Sequence, residues 1–233
     1  MGAETGQVLN HPLLARAGVE HGFGTRDSAV SGSAVLARPR QVHGAVVAIA
    51  DAAGGVHPEV ADAVVSREHG VAAAIATADC VPILACTEDG LSVAAIHAGW
   101  RGLVEGVIGA GLAALKRSAE FRSGPADLWA VVGPHIGPCC YEVDDVVLEP
   151  LRARFSRELA GATRSTRSGH ALLDLGVLVQ AELARAGVAS AKRALIRDVC
   201  TRCDALRFHS VRRDGASAGR MLHYVVPRDG AGG

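Results

Sequence analysis

Thr77-Ala78-Asp79-Cys80-Val81-Pro82, answered a few residues later by Ile96-His97-Ala98-Gly99-Trp100-Arg101-Gly102, reads as one buried hairpin with a thiol and an imidazole at its two chain ends. Val71 to Ala76 leads into it as a continuous apolar run, the pattern of a strand covered on both faces. Val81 to Thr87 and Leu91 to Ile96 form the arms, and Asp89-Gly90 supplies the turn. Pro82, which has no N–H to donate, marks an edge or a bulge. After Gly99, a helix is expected in which Val104, Val107, Ile108, Leu112 and Leu115 recur at helical spacing. Strand, histidine, glycine-rich turn and helix N-terminus thus follow in succession, which sets N–H groups and a positive dipole end beside His97.

Upstream, residues 1 to 20 carry weak signals and predict a loosely held start. His21-Gly22-Phe23-Gly24-Thr25-Arg26 combines turn glycines with polar groups, and a Ser/Gly/Ala loop follows. Val42 to Ala50 predicts a strand with His43 near its start, and Val60 to Ser66 a second one. Downstream, Leu128 to Val132 is a strand, and Gly133 to Glu142 is a rigid loop with two prolines. Asp144 caps a helix to about Phe155. Asp174 caps another, with Leu175, Leu178, Val179 and Leu183 on one face and Gly187 as its stop. Ala194 to Val199 is a strand that delivers Cys200, Phe208 to Gly215 is a polar segment, and Met221 to Val226 is the last strand. The tail from Asp229 to Gly233 is expected to be disordered. Strands outnumber helices and include a hairpin, so the expected class is α+β: one domain over residues 1–233, with mixed sheets under helical cover.

Hydrophobic residues make up 49% of the 233 and aromatics only 3%, so the core must be built from Ala, Val, Leu and Ile. Lys+Arg and Asp+Glu number 24 each, and without a basic excess no nucleic-acid partner is expected. No apolar run approaches the roughly 18 residues of a membrane span. Met1 to Gly6 shows neither a basic nor an apolar leader region, which points to the cytoplasm. The six cysteines are then expected as thiols, ligands or nucleophiles rather than disulfides.

Taken singly, His43, Cys80 and His97 would each pass for a buried thiol or a satisfied histidine. Taken together they offer two nitrogens and a sulfur, a zinc donor set that leaves a fourth position open. The same residues also permit a Cys80 nucleophile with His97 or His43 as base. Asp79 could orient that base or transfer a proton, or simply cap a turn. Arg101, at the helix start, is a candidate anion clamp against the alternative of a solvated surface arginine. Arg212 and Arg213 form a second basic pair, and Cys86 reads as a core thiol. Cys139-Cys140 with Cys200-x-x-Cys203 would need a second C-x-x-C knuckle to make a four-cysteine zinc site, so no site is expected there. The ten histidines include no His-x-His pair, which disfavours multicopper chemistry.

Gln41-Val42-His43-Gly44, Thr77 to Pro82 and His97 to Gly102 together resemble one bacterial and eukaryotic family. So do Gly133-Pro134 through Tyr141-Glu142-Val143, Cys200-Thr201, and Ser210 through Gly215 with Gly219-Arg220. The family is variously called laccase-domain or multicopper polyphenol oxidase proteins, peptidoglycan editing factors, and purine nucleoside phosphorylases. The ordered match runs from about His21 to Tyr224. The resemblance implies α/β/β/α-like layers and a metal site on His43, Cys80 and His97, with zinc favoured over copper. It also implies phosphorolysis of adenosine, inosine and methylthioadenosine to base and ribose 1-phosphate, with deamination of adenosine. Nucleoside and phosphate are then the expected partners, with Arg101 and Arg212 binding substrate and Asp79 as acid/base. A Cys80-dependent amidase that edits peptidoglycan precursors is the alternative, and a copper oxidase or a non-catalytic metal binder ranks third. Between Arg26 and Gln41 the chain is shorter than the family pattern, which predicts a more open pocket or a different substrate.

Overall fold

The computed structural model describes residues 6–29, 34–123 and 127–230. A seven-stranded mixed sheet runs in the order Arg193–Leu195, Leu128–Val132, Val81–Thr87, Val93–Ala98, Ala63–Ser66, Val47–Ala50, Val56–His57. A second sheet runs Glu20–Phe23, Met221–Val226, Val71–Thr77, Val35–Ala37, and a small third one Glu142–Asp144, His170–Leu173, Thr163–Arg167. The α+β class and the mixed sheets are as the sequence predicts.

Alternation along Val81–Thr87 explains the layering, because successive side chains of a strand point to opposite faces. Ile83 and Ala85 meet Ile96, Ile108, Leu112 and Leu115 under the helix Val107–Ser123. Leu84 and Cys86 face Ala73, Ile75 and Val225 of the second sheet. Both faces of the hairpin are therefore covered, and all of Val81–Thr87 and Val93–Ala98 is buried. The short side chains of this core let the layers close without many aromatic rings. A Cβ at Gly111 would lie 2.8 Å from Ile96 Cδ1, so helix and sheet touch where the helix has no side chain.

Several expectations need correction. Pro82 is not at a sheet edge but near the start of a central strand, opposite His97. Its carbonyl accepts from Gly133 N, so its missing N–H faces the side where Leu128–Val132 has already ended. The expected single helix is two, Trp100–Glu105 and Val107–Ser123, because Gly106 caps the first in the left-handed region at φ 87°. Of the start expected to be loose, residues 1–5 lie outside the described residues and the rest is held: His11 caps the helix Pro12–Arg16, whose Leu14 is fully buried, and Leu9 bridges Phe23. The strand expected from Val42 shortens to Val47–Ala50, and the one from Ala194 to Arg193–Leu195. Part of the expected Ser/Gly/Ala loop (30–33) and the end of the tail (231–233) lie outside the described residues. Among the described residues no helix is long and apolar enough to cross a membrane.

One buried polar contact ties together three strands of the second sheet. Gly24 N donates to His223 Nδ1, so the proton of the neutral ring sits on Nε2, which faces Thr77 Oγ1 at 2.8 Å. Burial, and then the positive charge of His97, push the pKa of His223 down to about 3 from 6.5. Below pH 6.5 the unfolded chain takes up a proton that the native one refuses, so stability falls as pH drops from 6.5 towards 3. The loss attributable to His223 is about 2 kcal/mol between pH 7 and pH 5. Denaturant titrations at the two pH values should show wild type losing that much more than His223→Gln; parallel losses would refute the assignment.

Candidate metal centre and cavity

Backbone geometry, not strand periodicity, aims the three expected ligands at one point. His43 lies in a turn at φ 66° rather than on a strand, and Cys80 follows Asp79, which has φ 87°. His97 is inside Val93–Ala98, paired with Pro82, so the open end of the hairpin presents both Cys80 and His97. The ligand atoms of His43, Cys80 and His97 all lie within 4.8 Å of one another. Cys80 Sγ is 3.8 Å from His43 Nε2, and the two imidazoles meet edge to face at 4.8 Å between centroids. A Cβ at Gly99 would lie 3.0 Å from His43 Cδ2 and 3.1 Å from Cys80 Sγ, so glycine there leaves room for the ligands.

The residue that organises this cluster is Asp62, which the sequence pattern places inside an apolar strand and the structure places just before the strand Ala63–Ser66. Its carboxylate is fully buried. One oxygen accepts from His97 Nδ1 at 2.8 Å and from His43 N at 2.8 Å, and the other accepts from Gly44 N at 2.7 Å. Val42 N adds longer bonds of 3.2 Å to both. One side chain therefore fixes the turn that carries His43 and the ring orientation of His97, leaving His97 Nε2 free to bind a metal. Burial alone would raise the carboxyl of Asp62; the bonds from His97 and the three N–H groups outweigh it and hold it below the usual range.

Charge at the cluster follows the same balance. Burial would push the Cys80 thiol up, but bonds and charge from His43 and His97 bring it down to about 6. Burial would push His97 down, but Asp62 and Cys80 bring it up to about 9. Without a metal the pair is thus thiolate and imidazolium near neutrality. A cation that takes both as ligands displaces the imidazolium proton and meets a thiolate already formed. Two nitrogens, one thiolate and a buried carboxylate behind one imidazole fit a borderline-soft cation.

Above the cluster opens a cavity of about 540 Å³, whose walls include Gln41, Thr77, Trp100, Arg101, Ile136, Tyr141, Leu175, Arg212 and Arg220. Arg101 stands over the Trp100 ring at 4.3 Å and Arg212 over the Tyr141 ring at 5.0 Å. Burial pushes the Tyr141 phenol up to about 12, so it remains a donor at neutral pH. Gln41 bonds to both the N–H and the C=O of Ala76, which ties the His43 turn to the second sheet. No described residue between Arg26 and Arg40 lines the cavity.

Asp79 accepts bonds at both oxygens: Thr201 Oγ1 donates to one at 2.6 Å, and Ser210 Oγ and Arg212 N donate to the other at 3.0 and 2.7 Å. It anchors the segments that carry Thr201 and Arg212 beside Cys80. The helix that begins at Trp100 has only 6 residues, so the dipole expected to favour an anion at Arg101 is that of a short turn. Arg213 faces inward, bonded to carbonyls of Thr201, Arg202 and Phe208, and does not reach the cavity. Cys139, Cys140, Cys200 and Cys203, whose spacing predicts no four-cysteine zinc site, nevertheless converge in space.

A family model described as multi-copper polyphenol oxidoreductase laccase matches residues 20–228, and the chain belongs to that family. Among its relatives is a protein of Geobacillus stearothermophilus named purine nucleoside phosphorylase YlmD, 37% identical over 168 residues, which are 72% of this chain and 60% of that protein. A purine nucleoside phosphorylase of Streptomyces coelicolor is 41% identical over 186 residues, 79% of this chain and 72% of the relative. The match to the first of these thus spans less than two thirds of its length. The crystal structure of YlmD from G. stearothermophilus superposes with a TM-score of 0.80 at 26% identity, covering 98% of each chain. A Neisseria meningitidis protein superposes at 0.79 with 29% identity, covering 96% of this chain and 99% of that one.

Proposed function

We propose that this chain is a zinc-dependent purine nucleoside phosphorylase. The observation that carries the reading is a cavity of small-molecule size whose floor is the His43–Cys80–His97 cluster and whose walls hold Arg101, Arg212 and Arg220. The names of the relatives point to the same reaction. In phosphorolysis an oxygen of inorganic phosphate bonds to C1′ of the ribose, the N-glycosidic bond breaks, and the departing base takes a proton. Products are the free base and ribose 1-phosphate.

His43, Cys80 and His97 would hold the metal, which would supply a Lewis acid at the cavity floor. Trp100, Ile136 and Leu175 offer apolar surface to a purine. The phenol of Tyr141 can donate to a ring nitrogen or a ribose hydroxyl. Arg101 and Arg212 give two guanidiniums, each pre-oriented on an aromatic ring, for phosphate. Arg212 already donates to the Glu142 carbonyl at 2.8 Å, so it reaches the cavity as a fixed group. Arg101→Ala is accordingly expected to raise the KM for phosphate about tenfold or more with a smaller change in the KM for nucleoside.

Adenosine deamination belongs to the same proposal as a hydrolytic side of the site. Adenosine and inosine, each incubated with and without phosphate and resolved by chromatography, separate the two reactions. Phosphate-dependent hypoxanthine from inosine supports phosphorolysis, and phosphate-independent inosine from adenosine supports deamination. Neither product, from zinc-loaded protein, would sink the proposal. A Cys80 thiolate held by histidine is also the chemistry of a nucleophilic amidase, and activity on cell-wall precursors that survives chelation would favour that instead.

A further inference from the structure

Cys139, Cys140, Cys200 and Cys203 form a second group whose sulfurs all lie within 4.8 Å of one another, away from the cavity described above. Cys140 Sγ is 3.3 Å and Cys139 Sγ 3.7 Å from Cys203 Sγ. A tetrahedral cation with metal–sulfur bonds of about 2.3 Å requires sulfurs about 3.8 Å apart, so the four thiols need only small adjustment. The adjacency of Cys139 and Cys140 is no obstacle, because Gly137 O accepts from both Cys140 N and Tyr141 N and the resulting turn brings both sulfurs to Cys203. Two donors already point at sulfur: Gly137 N to Cys200 Sγ at 3.2 Å, and Arg202 Nη1 to Cys140 Sγ at 3.4 Å. N–H groups and a guanidinium directed at sulfur offset the negative charge of thiolates.

We propose that these four cysteines are a structural tetrathiolate site for zinc, distinct from the His43–Cys80–His97 cluster. Binding converts four thiols to thiolates and releases their protons to solvent, with no redox change. The site joins two loops that would otherwise meet through few bonds. One continues from Cys140 into Tyr141, a cavity wall, and the other from Cys200 into Thr201, which holds Asp79 beside Cys80. The cation would therefore set the shape of the cavity without touching substrate.

The test is zinc content by mass spectrometry of full-length protein, loaded with zinc and dialysed, beside a count of free thiols after denaturation in chelator. Wild type should hold about two zinc ions per chain. Cys139→Ser/Cys203→Ser and Cys80→Ala/His97→Ala should each hold about one, and all six thiols should titrate. Cobalt in place of zinc should give thiolate charge-transfer bands in wild type about as intense as five Co–S bonds require, four from this site and one from Cys80, a readout that does not depend on any variant folding. One zinc in wild type that is lost only with Cys80 and His97 would overturn the proposal. Four titratable thiols instead of six would also overturn it, showing a disulfide in place of the metal.

Discussion

Cys80→Ala should lower kcat/KM for nucleoside phosphorolysis at least about a thousandfold, equivalent to about 4 kcal/mol of transition-state stabilisation. The reason is positional. Cys80 is the only sulfur in its cluster, 3.8 Å from His43 Nε2, and two imidazoles alone leave a site that does not retain zinc through dialysis. The fold should survive, since the strand that follows begins at Val81 and keeps its pairing with Ala98. Steady-state rates and metal analysis on one preparation read both effects. Retained zinc with turnover within tenfold of wild type would show that the thiolate is not a ligand that matters.

Asp62→Ala should be nearly as damaging, and for stability more so. Removing the carboxylate leaves the buried N–H groups of His43 and Gly44 and the Nδ1–H of His97 without their acceptor. At about 1–3 kcal/mol for each unmet buried donor, the loss is at least about 3 kcal/mol, or a fall in Tm of roughly 6–12 °C. Asp62→Asn keeps the shape and one acceptor but loses the charge behind His97. It should weaken zinc binding about 10- to 100-fold with a smaller drop in Tm. Thermal melts and a competitive chelator titration separate the two outcomes. Equal zinc affinity in Asp62→Asn and wild type would mean that the carboxylate serves the fold alone.

The strands that build the core were legible because their side chains had no other place to go. Val71–Thr77, Val81–Thr87 and Met221–Val226 are apolar but for a closing threonine in each of the first two and His223 in the third, and their spans lie within a residue of expectation. Thr163–Arg167 was not legible: four of its five residues are exposed, and only pairing with His170–Leu173 defines it as a strand. The break at Gly106 was also hidden, since Val104, Val107 and Ile108 keep helical spacing across a residue whose φ is positive. His43, Cys80 and His97 stood out by residue type and by the Gly or Pro near each, and the family resemblance joined them as one ligand set. Asp62 did not stand out, although an aspartate in the apolar run Val60-Ala61-Asp62-Ala63-Val64 was a signal, because a fully buried carboxylate requires partners. Convergence of the four outer cysteines depends on where two distant loops meet, which no spacing rule encodes.

Zinc titration back into chelator-stripped protein, followed by phosphate-dependent release of hypoxanthine from inosine, probes the metal centre most directly. Wild type should be inactive when stripped and regain full turnover on reloading, while Cys80→Ala stays inactive at every zinc level. Turnover by stripped wild-type protein, or restored turnover in Cys80→Ala, would contradict a metal held by His43, Cys80 and His97 as the source of the activity.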